Sequence, residues 1–356
     1  MKALTFLFLF FHVVAYSQPS VPVTDVQGII EKSIDDENIF GVTICLGTTN
    51  NNYTFASGNL KSTDYYFIAS VTKLYTTAVI YKMVDLNLIS LDDYIASYFS
   101  PEVMDRLHVL EGENYSNKIT IRHLLSNTSG LSDYFEQQNK GEKSVKEIVV
   151  NEKDTLLSFQ DIITISKKLP PQFIPGEAGK AFYSDTNFQL LGQIIEKVSQ
   201  KSLSEVYQEY IFTPLNLKNT FLYALDISTE VTPIYIREKE LQIPKMMSSF
   251  RADGGIVSTP EENMIFLKSF FSGMLFSKSH LDFENSWNKL EPPFQYGLGV
   301  SRFKFPGTYE LIGHHGASGS FAFYCPEKEV YITGTVNQVN KPQLPYKMIM
   351  KIMSKL

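Results

Sequence analysis

Several familiar signals are missing from this sequence, and each absence removes a class of function. No run of Lys and Arg stands out and the formal net charge is −6, so nucleic acid is not an expected partner. No His-Glu-x-x-His occurs, so metal-dependent hydrolysis is not expected, nor is any other cofactor. Gly-x-Ser-x-Gly is absent as well. "GASGS" (316–320) fails at its last position, which argues against the nucleophile elbow of the Ser-His-Asp α/β-hydrolases. Past the first twenty residues, no apolar segment approaches the ~20 residues that a membrane-spanning helix needs. Cysteine is scarce: Cys45 and Cys325 are the only two.

What is present reads as a globular protein. Of 356 residues, 44% are hydrophobic and 20% charged, ample material for a sizeable core. The chain begins "MKALTFLFLFFHVVAYSQPS". One Lys precedes a short apolar run, followed by the small-x-small pattern Ala15-Tyr16-Ser17. Residues 1–17 are therefore expected to be a secretory leader cleaved near Ser17, and the mature chain to be exported, periplasmic or secreted. No Cys lies near the cleavage point, so a lipid anchor is not expected.

Along the chain, "GVTICLGTTNNNYTFASGNL" (41–60) predicts two strands around an Asn-rich turn. Ser70 to Leu88 reads as a helix, with Val71, Leu74, Ala78 and Met83 near helical spacing. "TIRHLLS" (120–126) suggests a short helix in which His123 packs or caps. Residues 136–155 are polar and read as a surface loop or a short exposed helix. Residues 187–212 read as mostly helical, and 260–273 as a helix with Pro in its first turn. The last third alternates like strands, and 342–356 looks like a closing helix. Strands from both ends of the chain can therefore share one antiparallel sheet, with helices between.

The chemistry centres on "YFIASVTKLYTT" (66–77). Positions i and i+3 of a helix share a face, which places Lys73 beside Ser70. A neutral lysine could take the serine proton, but its pKa would have to fall from ~10.4. The spacing is weakly specific. Ser286/Lys289 and Ser301/Lys304 repeat it, and a capping serine with a solvated lysine explains it equally well. Only the first copy opens a long apolar helix.

The wider context is more specific. "FIASVTKLYTTAVIYKMVDLNLISLDDYI", "ITIRHLLSNTSGL", "FIPGEAGKAFYSDTNFQLLGQIIEKVSQKSLSEVYQEYIFTPLNLKNT", "ADGGIVSTPEENMIFL" and "IGHHGASGSFAFYCPEKEVYITGTVN" follow one another in order. Together they resemble the serine β-lactamase-like family of class C β-lactamases, D-Ala-D-Ala carboxypeptidases, D-aminopeptidases and esterases. The resemblance spans residues 25 to 340. It implies an α+β fold: a five-stranded antiparallel sheet flanked by helices (18–90 and 250–356) plus an all-helical region (91–249). In that strand order Cys45 and Cys325 sit on next-but-one strands, ~9.5 Å apart, beyond the ~7 Å Cα limit of a disulfide. Two free thiols are expected.

The resemblance also implies roles. Ser70 is the expected nucleophile and Lys73 its base. The family's Tyr-x-Asn matches Tyr183-Ser184-Asp185, with Tyr183 exchanging protons, and Tyr115 in "YSN" (115–117) is a decoy out of order. Asp185 replaces an Asn that both donates and accepts, so it loses a donor to substrate and favours a charged Lys73. The third motif matches His314-His315-Gly316. A neutral His314 replaces a possible Lys cation, and His315 replaces a hydroxyl residue, which disfavours β-lactam carboxylate binding. Gly316 is expected to admit substrate to the strand, and the amides of Ser70 and Ala317 to form the oxyanion hole. Asp185, His314, His315 and Gly316 are thus expected to bind substrate. The expected activity is acyl transfer on a small peptide, amide or ester, most simply as a D-Ala-D-Ala carboxypeptidase, D-peptidase or esterase. A β-lactamase proper, and a penicillin-binding sensor with little turnover, are the rival readings.

Overall fold

Strands from opposite ends of the chain meet in one antiparallel sheet. The computed structural model describes residues 21–35, 37–282, 286–304 and 307–356, so the leader at 1–17 lies outside the described residues. The strands are β1 (Gly41–Gly47), β2 (Asn52–Gly58), β3 (Asn288–Lys289), β4 (Phe294–Tyr296), β5 (Ser301–Phe303), β6 (Leu311–His315), β7 (Ser320–Cys325) and β8 (Val330–Thr335). Their order across the sheet is β3-β4-β5-β6-β7-β8-β1-β2. Five of them are long, as the resemblance implies. The sheet nevertheless has eight strands and not five, because the short strands of 288–303 extend the edge beyond β6.

Cys45 pairs with Thr333 on one edge of β8, and Cys325 with Val330 on the other. The expected strand order holds, and both thiols are free and buried. Burial pushes Cys45 up to about 12 and Cys325 up to about 11, so both stay protonated and inert.

Alternation along the strands separates two cores. Val42, Ile44 and Leu46 of β1 join Phe321, Phe323 and Ile332 under two helices, α1 (Val23–Glu31) and α6 (Gln343–Met353). The opposite face packs on α5 (Pro260–Ser272), whose N-cap Thr259 accepts from the Glu262 amide ahead of a Pro in the first turn. Beyond that face lies α2 (Thr72–Asp85), packed against α3 (Asp185–Ser199) and α4 (Pro244–Gly254). A helix enclosed on all sides needs no polar stripe. Two of its threonines point instead at carbonyls: Thr76 Oγ1 donates to Ala252 O (2.6 Å) and Thr77 Oγ1 to Lys73 O (2.7 Å).

The stretch 91–249 also holds short strand pairs, Val109–Leu110 with Glu113–Asn114 and Tyr235–Ile236 with Lys239–Glu240. A three-strand ladder of Tyr66–Phe67, Ile256–Ser258 and Phe221–Leu222 ties that stretch to the start of α2. His123 caps as expected: its Nδ1 accepts from the Thr120 amide while Thr120 Oγ1 accepts from the His123 amide. Among the described residues no helix is long and apolar enough to cross a membrane.

Candidate active site

Ser70 sits in a single 3-10 turn, Ala69–Val71, immediately ahead of α2. Ala69 adopts φ +44°, a left-handed conformation that a Cβ-bearing residue enters at a cost of ~1–3 kcal/mol. The turn is held there from across the chain. Ser318 Oγ donates to Phe67 O (2.9 Å) and Ser320 Oγ donates to Ile68 O (2.6 Å). Gly316 completes the clamp. A Cβ on it would fall 2.7 Å from Ile68 O and 2.8 Å from the Ala69 methyl. Its missing side chain makes room for the turn that carries Ser70.

Lys73 projects from the first turn of α2 and is 1% exposed. Its Nζ donates to Asp253 O at 2.7 Å and to Ser70 Oγ at 3.1 Å, and forms an ion pair with Asp185 Oδ1 at 2.6 Å. Burial pulls the amine down, but the charges of Asp185 and Asp253 outweigh it and hold its pKa above the ordinary lysine value. The neutral lysine base expected from the Ser-x-x-Lys pattern is therefore not the resting state.

Tyr183 lies beside this pair. Its ring centroid is 5.1 Å from Lys73 Nζ, and the Ser70 side chain is among the groups that act on its phenol. Burial and the charge of Asp185 push the phenol well above its usual value, so it stays protonated. The segment 183–185 rests on "SNTSGLSD" (126–133). Asn127 Oδ1 accepts from the Ser184 amide (3.1 Å) and from Asn187 Nδ2 (2.8 Å), and Ser184 Oγ donates to Ser132 O (2.8 Å). The Asp185 amide donates to Asp133 Oδ1 at 3.2 Å. The decoy Tyr115 lines a separate cleft of about 460 Å³ with Tyr94 and His123.

Two further carboxyl groups, those of Asp133 and Asp253, act on the Lys73–Asp185 pair or on one member of it, and neither was evident from the sequence. Burial and the charge of Asp185 raise Asp133 to about 8. The same two causes push Asp253 well above the carboxylate range, although its Oδ2 accepts from Tyr134 (3.0 Å) and Gln189 (3.1 Å).

On the sheet side, His314 is 1% exposed and both its ring nitrogens are engaged. Nδ1 lies 2.7 Å from His315 O, and Nε2 lies 3.2 Å from the Tyr296 hydroxyl. Only Nδ1–H can serve the carbonyl, so Nε2 accepts from Tyr296 and the ring is neutral. Burial, then His315 and Lys73, push its pKa well below the usual value. Tyr296 also meets Tyr183 edge-on at 5.8 Å. Sequence reasoning missed it. The available signal was "YGLG" (296–299): Gly299, at φ +77°, lets this loop lie against Thr77, where a Cβ would fall 2.0 Å from Oγ1.

His315 does not join the site, which corrects its expected substrate role. It pairs with Phe321 while His314 pairs with Ala322, so the two neighbours face opposite sides of the sheet. The His315 ring packs on Tyr346 of α6 (5.4 Å) and on Phe294 (5.8 Å). Ala317 lies exposed in the tight turn between β6 and β7. Among the described residues no hydrogen bond engages its amide or that of Ser70. Among the described residues, no group of His, Cys, Asp and Glu is placed to hold a metal ion.

Known proteins share this architecture. A D-stereospecific amidohydrolase from Streptomyces sp. superposes with TM-score 0.76 at 22% identity, covering 92% of this chain and 97% of that one. A D-amino acid amidase from Ochrobactrum anthropi SV3 gives 0.77 at 20%, covering 93% and 97%. At such identities the likeness is one of fold. A penicillin-binding protein of Bacillus subtilis (strain 168) is 24% identical over 277 residues, 72% of this chain and 56% of its own length. The D-alanyl-D-alanine-carboxypeptidase/endopeptidase AmpH of Escherichia coli (strain K12) is 24% identical over 213 residues, 60% and 50%. The chain spans about half the length of these curated relatives. The Beta-lactamase family model matches residues 26–353, and the chain belongs to that family of serine hydrolases.

Proposed function

We propose that the protein is an acyl-transferring serine hydrolase of small amides or esters whose substrates need no carboxylate anchor. Ser70 Oγ attacks the carbonyl, and the amides of Ser70 and Ala317 receive the oxyanion. Tyr183, protonated at rest, gives its proton to the leaving group and is recharged through Ser70 and Lys73. Water then releases the acyl group. The observation that carries the substrate reading is His314. At the position where the resembled family carries Lys or His, this chain has a neutral imidazole with both nitrogens occupied. A C-terminal carboxylate, the handle of D-Ala-D-Ala peptides and penicillins, finds no charge there. Structural likeness to a D-amino acid amidase and a D-stereospecific amidohydrolase supports the same preference. The leader reading places this activity outside the cytoplasm.

The test compares a D-amino acid amide, a p-nitrophenyl ester, an acyl-D-Ala-D-Ala peptide and a fluorescent penicillin, with Ser70→Ala as control. Ser70-dependent turnover of the amide or ester, with slow acylation by penicillin, is expected. No Ser70-dependent reaction with any of the four would sink the enzyme reading. Preference for the peptide or fast penicillin hydrolysis would overturn the role given to His314.

A further inference from the structure

We propose that Asp185 is the final proton acceptor of a Ser70–Lys73–Asp185 relay, so that Lys73 works as a charged proton conduit and not as a free amine base. The inference rests on the function proposed above. The Lys73 ammonium donates to Asp253 O and Ser70 Oγ, and its ion-pair contact to Asp185 Oδ1, at 2.6 Å, is the shortest of the three. A serine proton can enter Nζ only if another leaves. Asp253 O is a main-chain carbonyl and cannot keep a proton, which leaves the carboxylate.

The other groups facing the pair are poor candidates for a base. Asp133 and Tyr134 come from the loop after Gly130, Asp253 from α4, Tyr183 from the segment before α3, and Tyr296 with His314 from the sheet. Burial and neighbouring charge hold Asp253, Tyr134 and Tyr183 protonated, and keep Asp133 protonated below about 8. Tyr296 is also kept protonated by burial, and His314 Nε2 is occupied by the Tyr296 hydroxyl. Asp185 is the carboxyl group in ion-pair contact with Nζ, and as the first residue of the 15-residue helix α3 it sits at the positive end of the helix dipole.

The step balances without an added reagent. Nζ passes a proton to Asp185 Oδ1, the amine rotates about Cε–Nζ, and its freed lone pair takes the Ser70 proton. The Oγ–H bond breaks as the Oγ–acyl bond forms, leaving a carboxylic acid, an ammonium and the oxyanion. On collapse, the Asp185 proton returns through Lys73, and Tyr183 delivers one to the leaving group. An Asn at this position accepts a hydrogen bond but cannot accept the proton.

The experiment is the pH profile of kcat/KM for p-nitrophenyl acetate between pH 5 and 10, on wild type, Asp185→Asn, Asp185→Glu and Ser70→Ala. In wild type the acid limb should belong to a carboxylate. In D185N it should move up by two or more pH units toward an amine, with a loss of ~10²-fold at neutral pH that is recovered at high pH. D185E should keep the carboxylate limb at a reduced rate. A D185N rate that is unchanged, or lowered equally at every pH, overturns the relay, as does a D185E limb displaced like that of D185N. If D185N does not fold, the D185E profile alone decides. A wild type without Ser70-dependent turnover sinks the function itself, whereas an unshifted limb with intact turnover sinks only the relay.

Discussion

The two walls of the site differ in electrical character. The helical wall, built from α2, α3, α4 and the loop at 126–135, gathers Lys73, Asp133, Asp185 and Asp253 within a buried network. The strand wall, built from β4 and β6, offers Tyr296 and His314, both neutral and hydrogen-bonded to each other. Ser70 lies between them. The contrast separates two tasks. On the proposed function, protons are handled on the helical side, where low dielectric strengthens each charge. On the other side, substrate meets a surface that selects by shape and hydrogen bonding.

The sharpest way to break this contrast is to empty the charged wall. Lys73→Met should lower kcat/KM on the order of 10³-fold or more. It should also destabilise the fold by about 3–5 kcal/mol, because it leaves a buried carboxylate without its cation. Stopped assays and thermal melts read the two effects separately. Tyr183→Phe should cost ~10²-fold in turnover with little change in melting temperature, since the ring packing survives. Equal loss in binding and turnover would remove its proton role.

Charging the neutral wall inverts the comparison. His314→Lys should speed acylation by a fluorescent penicillin on the order of 10-fold, the worth of one charge-assisted hydrogen bond, while the neutral ester gains nothing. A smaller effect lies in stability. Asp133 is raised from ~3.9 in the unfolded chain to about 8 when folded, so the folded state binds a proton that the unfolded state releases. Its stabilising share is therefore complete in acid and lost as pH rises from about 4 to 8. The melting temperature of Asp133→Asn should vary less with pH across that window than that of wild type. The smallest effect is expected at His315, which sits behind the strand wall. His315→Phe should leave kcat/KM within ~3-fold. Burial and Lys73 lower His315 to about 4, so wild type loses stability as pH falls from ~6.5 toward 4, and the variant should lose less.

What could be read from sequence divides along similar lines. Local patterns sufficed for α2, the capped helix at 121–125, α5 and the strands near the two ends. The pairing of β1 with β8, and with it the separation of Cys45 from Cys325, followed from the family likeness. The two-residue strand at 288–289 escaped because so short a run has no period. His315 was misassigned although strand alternation applies to it as much as to His314. Asp133, Asp253 and Tyr296 carried no spacing relative to Ser70. They reach it through packing between segments more than 60 residues away, and only the folded chain brings them together.

The clamp on Ala69 gives the chain a built-in order of assembly. The nucleophile turn is synthesised within the first fifth of the polypeptide, yet the hydroxyls that hold it, on Ser318 and Ser320, belong to the last eighth. A nascent or unfolded chain carries Ser70 without the brace that sets its backbone. Reactivity is then switched on late, by the docking of β6 and β7, and a truncated product ending before residue 318 stays harmless to surrounding esters and amides.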